Sequence, residues 1–283
     1  MESVKDLPSY LILWRSFMAL SMLSAQVPAF HAPTPVRNAR ATVRMESVKD
    51  LETLAGKLNP AVGYWNPTSL AEMEFWGQSQ EATIGFLRQA EIKHGRVAMA
   101  AFVGFCIQSQ GICFPWGLTT SGISFADISA AGSPLAQWDA LPTNSKLQII
   151  GAIGFLEWWG ENKYALTQSG MSHYMRGGKP GVYPSFNNGG IPHPVPLELF
   201  DPFGFQKKMS PERKEKALLA EINNGRLAQI GIMAFVSEAK VPGSVPALKG
   251  LIPAYTGEPM APFSASDNLP FVSDMLSSAP FGA

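Results

Sequence analysis

The stretch Glu91-Ile92-Lys93-His94-Gly95-Arg96 is followed by a mostly apolar run over residues 97–107. A similar stretch, Glu221-Ile222-Asn223-Asn224-Gly225-Arg226, comes 130 residues later and is followed by an apolar run over residues 227–236. Glutamate, isoleucine, glycine and arginine recur in register between the two copies. The sequence therefore predicts two long, similar helices that carry charged residues within apolar surroundings.

These charges are costly if the helices lie in a membrane, at about 2.5–3.5 kcal/mol for each charged residue at the helix centre. The cost falls if each arginine meets the glutamate of the other copy. We expect the helices to cross at Gly95 and Gly225, because glycine lets two helix backbones approach closely. The ion pairs expected from this crossing are Arg226 with Glu91 and Arg96 with Glu221.

Each copy also contains residues that can bind a metal. His94 and Asn224 lie three residues after the glutamate and so share its helix face. A carboxylate that is neutralised by an arginine keeps a lone pair for a metal, and Mg²⁺ prefers oxygen ligands. A single stretch of this kind is typical of an ordinary salt-bridged helical turn, but its repetition at matched positions favours a functional role.

The two stretches resemble the first and third transmembrane helices of the light-harvesting chlorophyll-binding proteins. The surrounding residues resemble the chlorophyll a/c branch of algae with complex plastids, which contains the fucoxanthin- and peridinin-type antennas. Residues 241–248 are most similar to dinoflagellate members. The resemblance covers roughly residues 50–263 and is weaker in the middle helix. It implies an all-α membrane protein with three transmembrane helices, of which the first and third cross with pseudo-two-fold symmetry.

The predicted helices span about residues 80–108, 146–167 and 211–239, within a chlorophyll-binding domain over residues 45–283. Ser210 is a suitable N-cap for the third helix, because Pro211 follows it at the first helical position. The apolar core of the middle helix is short compared with the roughly 20 residues that a membrane span needs. In the tail, a short amphipathic lumenal helix is expected from Phe271, Val272, Met275 and Leu276.

Composition and the N-terminal residues bound the class of protein. The chain is 46% hydrophobic but only 16% charged, below the roughly 25% of a typical soluble domain. Its net charge of zero gives no reason to expect nucleic acid as a partner.

Residues 1–44 contain an apolar run, a Val27-Pro28-Ala29 cleavage site and an arginine-rich part without acids. They indicate a signal and plastid transit leader, and a plain secretory signal is the alternative.

The distribution of basic residues predicts the orientation in the membrane. The loop over residues 109–145 and the tail from residue 251 contain no lysine or arginine, whereas the second loop and the N-terminal side are basic. The positive-inside bias therefore puts the N-terminus and second loop in the stroma, and the first loop and C-terminus in the lumen. Helices one and three are then parallel, as the reciprocal ion pairs require.

The resemblance also implies which residues bind pigment. Glu91 and Glu221 would each bind a chlorophyll magnesium while Arg226 and Arg96 neutralise them, and His94 and Asn224 would bind two more. Further pigment contacts are expected at Gln148 and Glu157 of the middle helix, at Glu238, and at Asp201 in the turn before the third helix. For Glu238 a plain helix-end carboxylate remains the alternative, and for Asp201 simple turn chemistry does.

The function that the resemblance implies is that of a thylakoid antenna protein, which transfers excitation energy to a photosystem and is not an enzyme. The implied cofactors are chlorophyll a, chlorophyll c and carotenoids of the peridinin or fucoxanthin type and the diadinoxanthin type. The implied partners are a photosystem core, I or II, other antenna subunits and thylakoid lipids. A photoprotective, energy-quenching member of the family is one alternative, and a pigment-free membrane transport or structural protein is another.

Overall fold

A computed structural model describes residues 47–186, 201, 205 and 208–277. In these ranges the chain is helical, with one isolated bridge between Gly117 and Ser124 and no strand, which confirms the all-helical class. No helix within the described ranges has both the length and the apolar character needed to cross a membrane. The leader predicted for residues 1–44 lies outside the described residues. The α-helices are α1 (Val48–Leu58), α2 (Gln80–Ser109), α3 (Phe125–Ser129), α4 (Pro134–Ala140), α5 (Thr143–Glu161), α6 (Lys163–Gln168), α7 (Pro211–Lys240) and α8 (Val272–Ser277).

The two longest of these helices are α2 and α7, which contain 30 residues each. Their bounds lie within one residue of the predicted ranges, because both begin at clear N-terminal signals. The hydroxyl of Ser79 accepts the backbone N–H of Ala82 at the start of α2. Ser210 likewise accepts the N–H of Arg213 in front of α7, where Pro211 occupies the first turn. Each cap satisfies one of the N–H groups that a helix start leaves without an intrahelical partner.

Helices α2 and α7 cross at their glycines, as the sequence predicts. A Cβ atom added to Gly225 would lie 2.9 Å from the Cα atom of Gly95, so neither position has room for a side chain. Further along both helices, the ring of Phe235 stacks on Phe102 and Phe105 at centroid distances of 5.0 and 4.9 Å. These contacts follow the same order in both helices, which shows that α2 and α7 are parallel.

The second predicted helix is divided in the structure. The expected helix over residues 146–167 is instead α5 followed by α6, because Asn162 adopts an extended conformation between them. The side chain of Asn162 accepts the N–H groups of Tyr164 and Ala165 and so caps the start of α6. Asparagine favours such caps over helix interiors, and the prediction of one continuous helix is wrong for this reason.

Helix α5 runs antiparallel to α2 and α7 and is buried only near its two ends. Its buried residues are Lys146 and Trp159, whereas large apolar side chains along its middle are exposed, among them Ile149, Ile150, Ile153 and Leu156. We call the end where α5 begins and α2 and α7 finish the distal end, and the opposite end the proximal end. Protein contacts thus hold α5 at both ends and leave its centre uncovered.

Two shorter helices, α1 and α8, lie outside the three longest ones. Helix α1, which the sequence interpretation missed, starts with a capping box in which Ser47 and Asp50 each accept a backbone N–H of the other. Lys57 in its last turn contacts Glu215 of α7 at 2.6 Å. At the distal end, the short helix expected in the tail is present as α8, with Val272 buried.

Candidate functional site

Two reciprocal ion pairs surround the crossing of α2 and α7. Nη2 of Arg226 lies 2.7 Å from Oε1 of Glu91, and Nε of Arg96 lies 2.6 Å from Oε1 of Glu221. Both pairs were expected from the repeated stretch, and the structure confirms them. The crossing at the glycines brings each arginine to the other helix, so that neither glutamate carries an isolated charge.

The glutamates of these pairs keep the capacity to bind a metal. The side chains of Glu91 and Glu221 are 24% and 29% exposed, so each remains accessible from one side. An ionised carboxylate has about four lone-pair positions on its two oxygens, and the arginine uses only part of them. The arrangement therefore gives two carboxylate ligands on neighbouring helices, each with a cation from the opposite helix, and such oxygen ligands suit Mg²⁺.

The surroundings of the two glutamates differ in spite of the repeat. Arg88, a buried residue of α2, contacts Oε2 of Glu91, and the corresponding position of α7 is Leu218. On the other side, Nη1 of Arg96 also donates to the carbonyl of Gly181 at 2.8 Å. Glu91 is thus held by two arginines, and the arginine that holds Glu221 is itself fixed by a loop.

The imidazole of His94 is oriented as a metal ligand would be. Its Nδ1 lies 2.7 Å from the backbone carbonyl of Ala90, and since a carbonyl only accepts, Nδ1 must carry the proton. The lone pair of Nε2 is then available, an arrangement that is usual for metal-binding histidines. His94 is exposed, and its counterpart Asn224 on α7 is exposed as well. Each lies on the same helix face as the glutamate three residues before it.

The two candidates on α5 lie in different surroundings. Glu157, near the proximal end, contacts Nζ of Lys93 on α2, and the same lysine lies 3.6 Å from Glu161. Gln148, near the distal end, is exposed. Glu157 therefore has a cation from a neighbouring helix, like Glu91 and Glu221, and the pigment contacts of both α5 residues stay predictions.

Glu238 and Asp201 both take part in local backbone structure. The carboxylate of buried Glu238 accepts the N–H groups of Gly243 and Val245, each at 2.8 Å, and so closes the turn after α7. Asp201 has a φ of 57° and accepts the N–H of Phe205 at 2.7 Å. These contacts agree with the helix-end and turn alternatives, while the predicted pigment contacts of both residues remain untested.

A loop after α6 holds the proximal half of α2, and sequence reasoning did not find it. The N–H of Gly181 donates to Oε1 of Gln89 at 2.6 Å. The carboxylate of Glu161 accepts hydrogen bonds from Nε2 of His173 at 2.5 Å and from the hydroxyl of Tyr174 at 3.1 Å. Burial, together with the charge of Glu161, raises the pKa of Tyr174 to about 12. His173 also accepts the N–H of Met175 through Nδ1, so both of its ring nitrogens are engaged.

A cleft of about 380 Å³ opens beside Glu91. One wall is the apolar side of α1 and the segment that follows it, and the other contains the Arg88–Glu91–Arg226 group. Leu51, Leu54, Leu58, Val62, Tyr64 and Trp65 line the apolar wall. The cleft thus combines a carboxylate ligand with an extended apolar surface, as a large, mostly apolar ligand with a metal centre would require.

Comparison with known proteins agrees with this chemistry. The family model described as chlorophyll A-B binding protein matches residues 50–240. Fucoxanthin-chlorophyll a-c binding protein D of Macrocystis pyrifera is 32% identical over 176 residues, which cover 62% of this chain and 79% of the relative. Protein F of the same name from Phaeodactylum tricornutum is 30% identical over 225 residues, 80% of this chain and 95% of the relative. A third relative, from Trieres chinensis, is 26% identical over 230 residues, 81% and 97% of the two chains.

Proposed function

The chain belongs to the chlorophyll A-B binding protein family and is a light-harvesting protein, not an enzyme, and from this premise we propose which residues hold its pigments. Its cofactors are chlorophylls a and c and carotenoid of the kind that its relatives' names state. The pigments supply light absorption and excitation transfer. The protein fixes their positions and sets their electrostatic surroundings.

Glu91 and Glu221 are the principal magnesium ligands in this proposal. Each would bind one chlorophyll through a carboxylate oxygen, while Arg226 and Arg96 balance the charge from the opposite helix. The ion-pair distances of 2.7 and 2.6 Å support this role, because a neutralised carboxylate can be placed in apolar surroundings at much lower cost than an isolated one.

His94 and Asn224 form the second pair of ligands. The hydrogen bond from Nδ1 of His94 to Ala90 leaves Nε2 for a metal, and Asn224 offers its amide oxygen from the equivalent position. On α5, Glu157 repeats the arrangement of a carboxylate paired with a cation from a neighbouring helix, here Lys93. We include Gln148 and Glu238 as further chlorophyll contacts, and Asp201 as a contact to a carotenoid ring.

The observation that carries the proposal is the pair of glutamates at the crossing, each of which contacts an arginine of the other helix. Large apolar side chains of α5 and α7 are exposed beside them. Helix α5 is buried only at Lys146 and Trp159. Around Asn224, the α7 residues Leu227 and Ile230 are 69% and 70% exposed. Side chains of this size need an apolar environment, and planar pigments with hydrocarbon tails provide it next to their ligands.

We further propose that α2, α5 and α7 cross the thylakoid membrane with the proximal end in the stroma and the distal end in the lumen. The absence of lysine and arginine from residues 109–145 and from the tail after residue 251 supports this orientation. In this position the antenna would pass excitation to a photosystem core, directly or through other antenna subunits.

The test is the pigment content of the protein after isolation in a mild detergent. We expect chlorophyll absorption in the red, and chlorophyll emission when the carotenoid is excited. Glu221→Leu should remove one or more chlorophylls per protein molecule. Glu81→Leu, at an exposed position in the first turn of α2, should leave the chlorophyll-to-protein ratio unchanged. A colourless, folded wild-type protein would refute the proposal, and strongly quenched emission would favour the photoprotective alternative.

A further inference from the structure

The hydroxyl of Tyr64 is a buried polar group without a hydrogen-bond partner in the described part of the chain. Nδ2 of Asn66, two residues later, is buried and unpartnered in the same way. Both groups are hydrogen-bond donors. Buried polar groups in native proteins nearly always have partners, and each exception calls for an explanation such as a water or a ligand.

The position of Tyr64 favours a ligand. Tyr64 lines the cleft beside Glu91, together with the apolar side of α1. Two polar contacts join α1 to α7 near the cleft. Lys57 pairs with Glu215 at 2.6 Å, and Nδ2 of Asn223 donates to the carbonyl of Leu58 at 3.3 Å. Tyr64 and Glu91 therefore line one cleft. One wall carries the candidate metal ligand, and the residue with the unpartnered hydroxyl belongs to the other wall.

We propose that Tyr64 donates a hydrogen bond from Oη to a peripheral carbonyl oxygen of the chlorophyll held by Glu91, and that α1 is the wall that shields this pigment from water. This inference rests on the proposed function of Glu91. Chlorophylls carry carbonyl groups at the edge of a flat apolar ring, and these groups only accept hydrogen bonds. The hydroxyl of Tyr64 can donate to such a carbonyl, and the apolar side chains beside Tyr64 can pack on the ring. A group that only accepts hydrogen bonds would repel the carbonyl oxygen.

The proposed hydrogen bond would change the absorption of the pigment at Glu91. A carbonyl conjugated with the ring changes its stretching frequency and shifts the absorption of the pigment when it accepts a hydrogen bond. Tyr64 would thus set the properties of the pigment at Glu91. The sequence before α7 has no tyrosine at residue 194, which is 130 positions after Tyr64, or at residue 199, which precedes the Asp201-Pro202 turn as Tyr64 precedes Asn66-Pro67. The two pigments at the crossing would differ for this reason, although their glutamate ligands are alike.

The experiment compares Tyr64→Phe with Tyr164→Phe in the full pigment-loaded protein. Both changes remove one hydroxyl, but Tyr164 is an exposed residue of α6 and lies outside the cleft. We expect one carbonyl stretching band in the resonance Raman spectrum of Tyr64→Phe to move to higher frequency, as happens when a hydrogen bond is lost. One chlorophyll should also dissociate about five- to tenfold faster on dilution in detergent, as expected for one hydrogen bond. The Tyr164→Phe spectrum should equal that of the wild type.

The possible failures are distinguishable. A wild-type protein without pigment would refute the proposed function itself. A wild-type protein with full pigment, but with identical Raman bands in Tyr64→Phe, would overturn only this inference and assign the hydroxyl to a water. Pigment-loaded Tyr64→Phe should keep the helical circular dichroism of the wild type, because no hydrogen bond within the described part of the chain is lost. A clear loss of helical signal in this variant would also contradict the inference.

Discussion

The buried ion pair between Lys146 and Asp267 should be a main determinant of stability at the distal end. The two side chains are 0% and 2% exposed, and Nζ lies 2.7 Å from Oδ2. Asp267 also accepts the hydroxyl of Thr143 at 2.7 Å and the N–H of Ser264 at 2.8 Å. The pair therefore joins the start of α5 to the C-terminal tail in a site that water does not reach.

Lys146→Met removes the cation and leaves the carboxylate of Asp267 buried. Breaking one side of a buried pair typically costs about 3–5 kcal/mol. We expect the lower part of that range, because the contacts of Asp267 with Thr143 and Ser264 remain. Even this loss is a large fraction of the roughly 5–15 kcal/mol by which a typical protein is stable. The double variant Lys146→Met/Asp267→Leu should recover most of the loss, since apolar residues of similar volume often replace a buried pair at little cost.

The assay is denaturant unfolding of the wild type, both single variants and the double variant, followed by circular dichroism at equal pigment content. The coupling free energy follows from the double-mutant cycle. Lys57→Met is the matched control, because Lys57 makes an ion pair with Glu215 in which both side chains are more than half exposed, and exposed pairs contribute little. A double variant as unstable as Lys146→Met would refute the reasoning, as would a loss no larger than that of the control.

Three further predictions concern pH, the crossing and the ligands. Burial alone would raise the pKa of Asp267, but the bonds from Lys146, Ser264 and Thr143 hold it below its usual value. Its contribution should therefore be constant above the unfolded-state pKa of about 3.9 and be lost as the pH falls through the lower folded-state pKa, which unfolding curves from pH 7 to pH 3 would measure. Gly225→Ala should destabilise the fold by about 1–3 kcal/mol, since its Cβ would lie 2.9 Å from the backbone of α2; unchanged thermal stability would contradict the close crossing. Arg226→Leu should lower the chlorophyll-to-protein ratio, because Oε1 of Glu91 loses its cation; pigment extraction that recovers the wild-type ratio would rule out this dependence.

Much of the crossing was predictable from the sequence because the information is local and occurs twice. The repeated stretch indicated two helices, their glycine contact and both reciprocal ion pairs, and the structure contains all of them. The capping residue Ser210 and the proline after it located the start of α7 to the residue. Such signals act within one helical turn, so that they can be recognised without knowledge of the path of the chain.

Other features were missed in the sequence or required the tertiary structure. Helix α1 has an apolar period and a capping box that a closer inspection of residues 47–58 would have detected. The break at Asn162 depends on a choice between helix interior and cap that the local sequence leaves open. For Tyr64, the sequence shows an aromatic residue in a turn-rich segment, and only the cleft shows that its hydroxyl is buried and unpartnered.

By itself, the sequence determined the helical class, the two long helices and the neutralised glutamates at their crossing. The tertiary structure decided how Lys93 meets Glu157, how the loop at Gly181 fixes Arg96, and how Lys146 meets Asp267. The physical reason is that capping and periodicity act over a few neighbouring residues, so they do not identify distant partners. The ion pairs at the crossing join residues 125 and 135 positions apart, and they were predictable only because the repeated stretch marks both partners. The other three contacts join residues 64 to 121 positions apart and have no repeat that marks them. Which distant groups meet depends on the geometry of every connecting loop, and no local pattern encodes it.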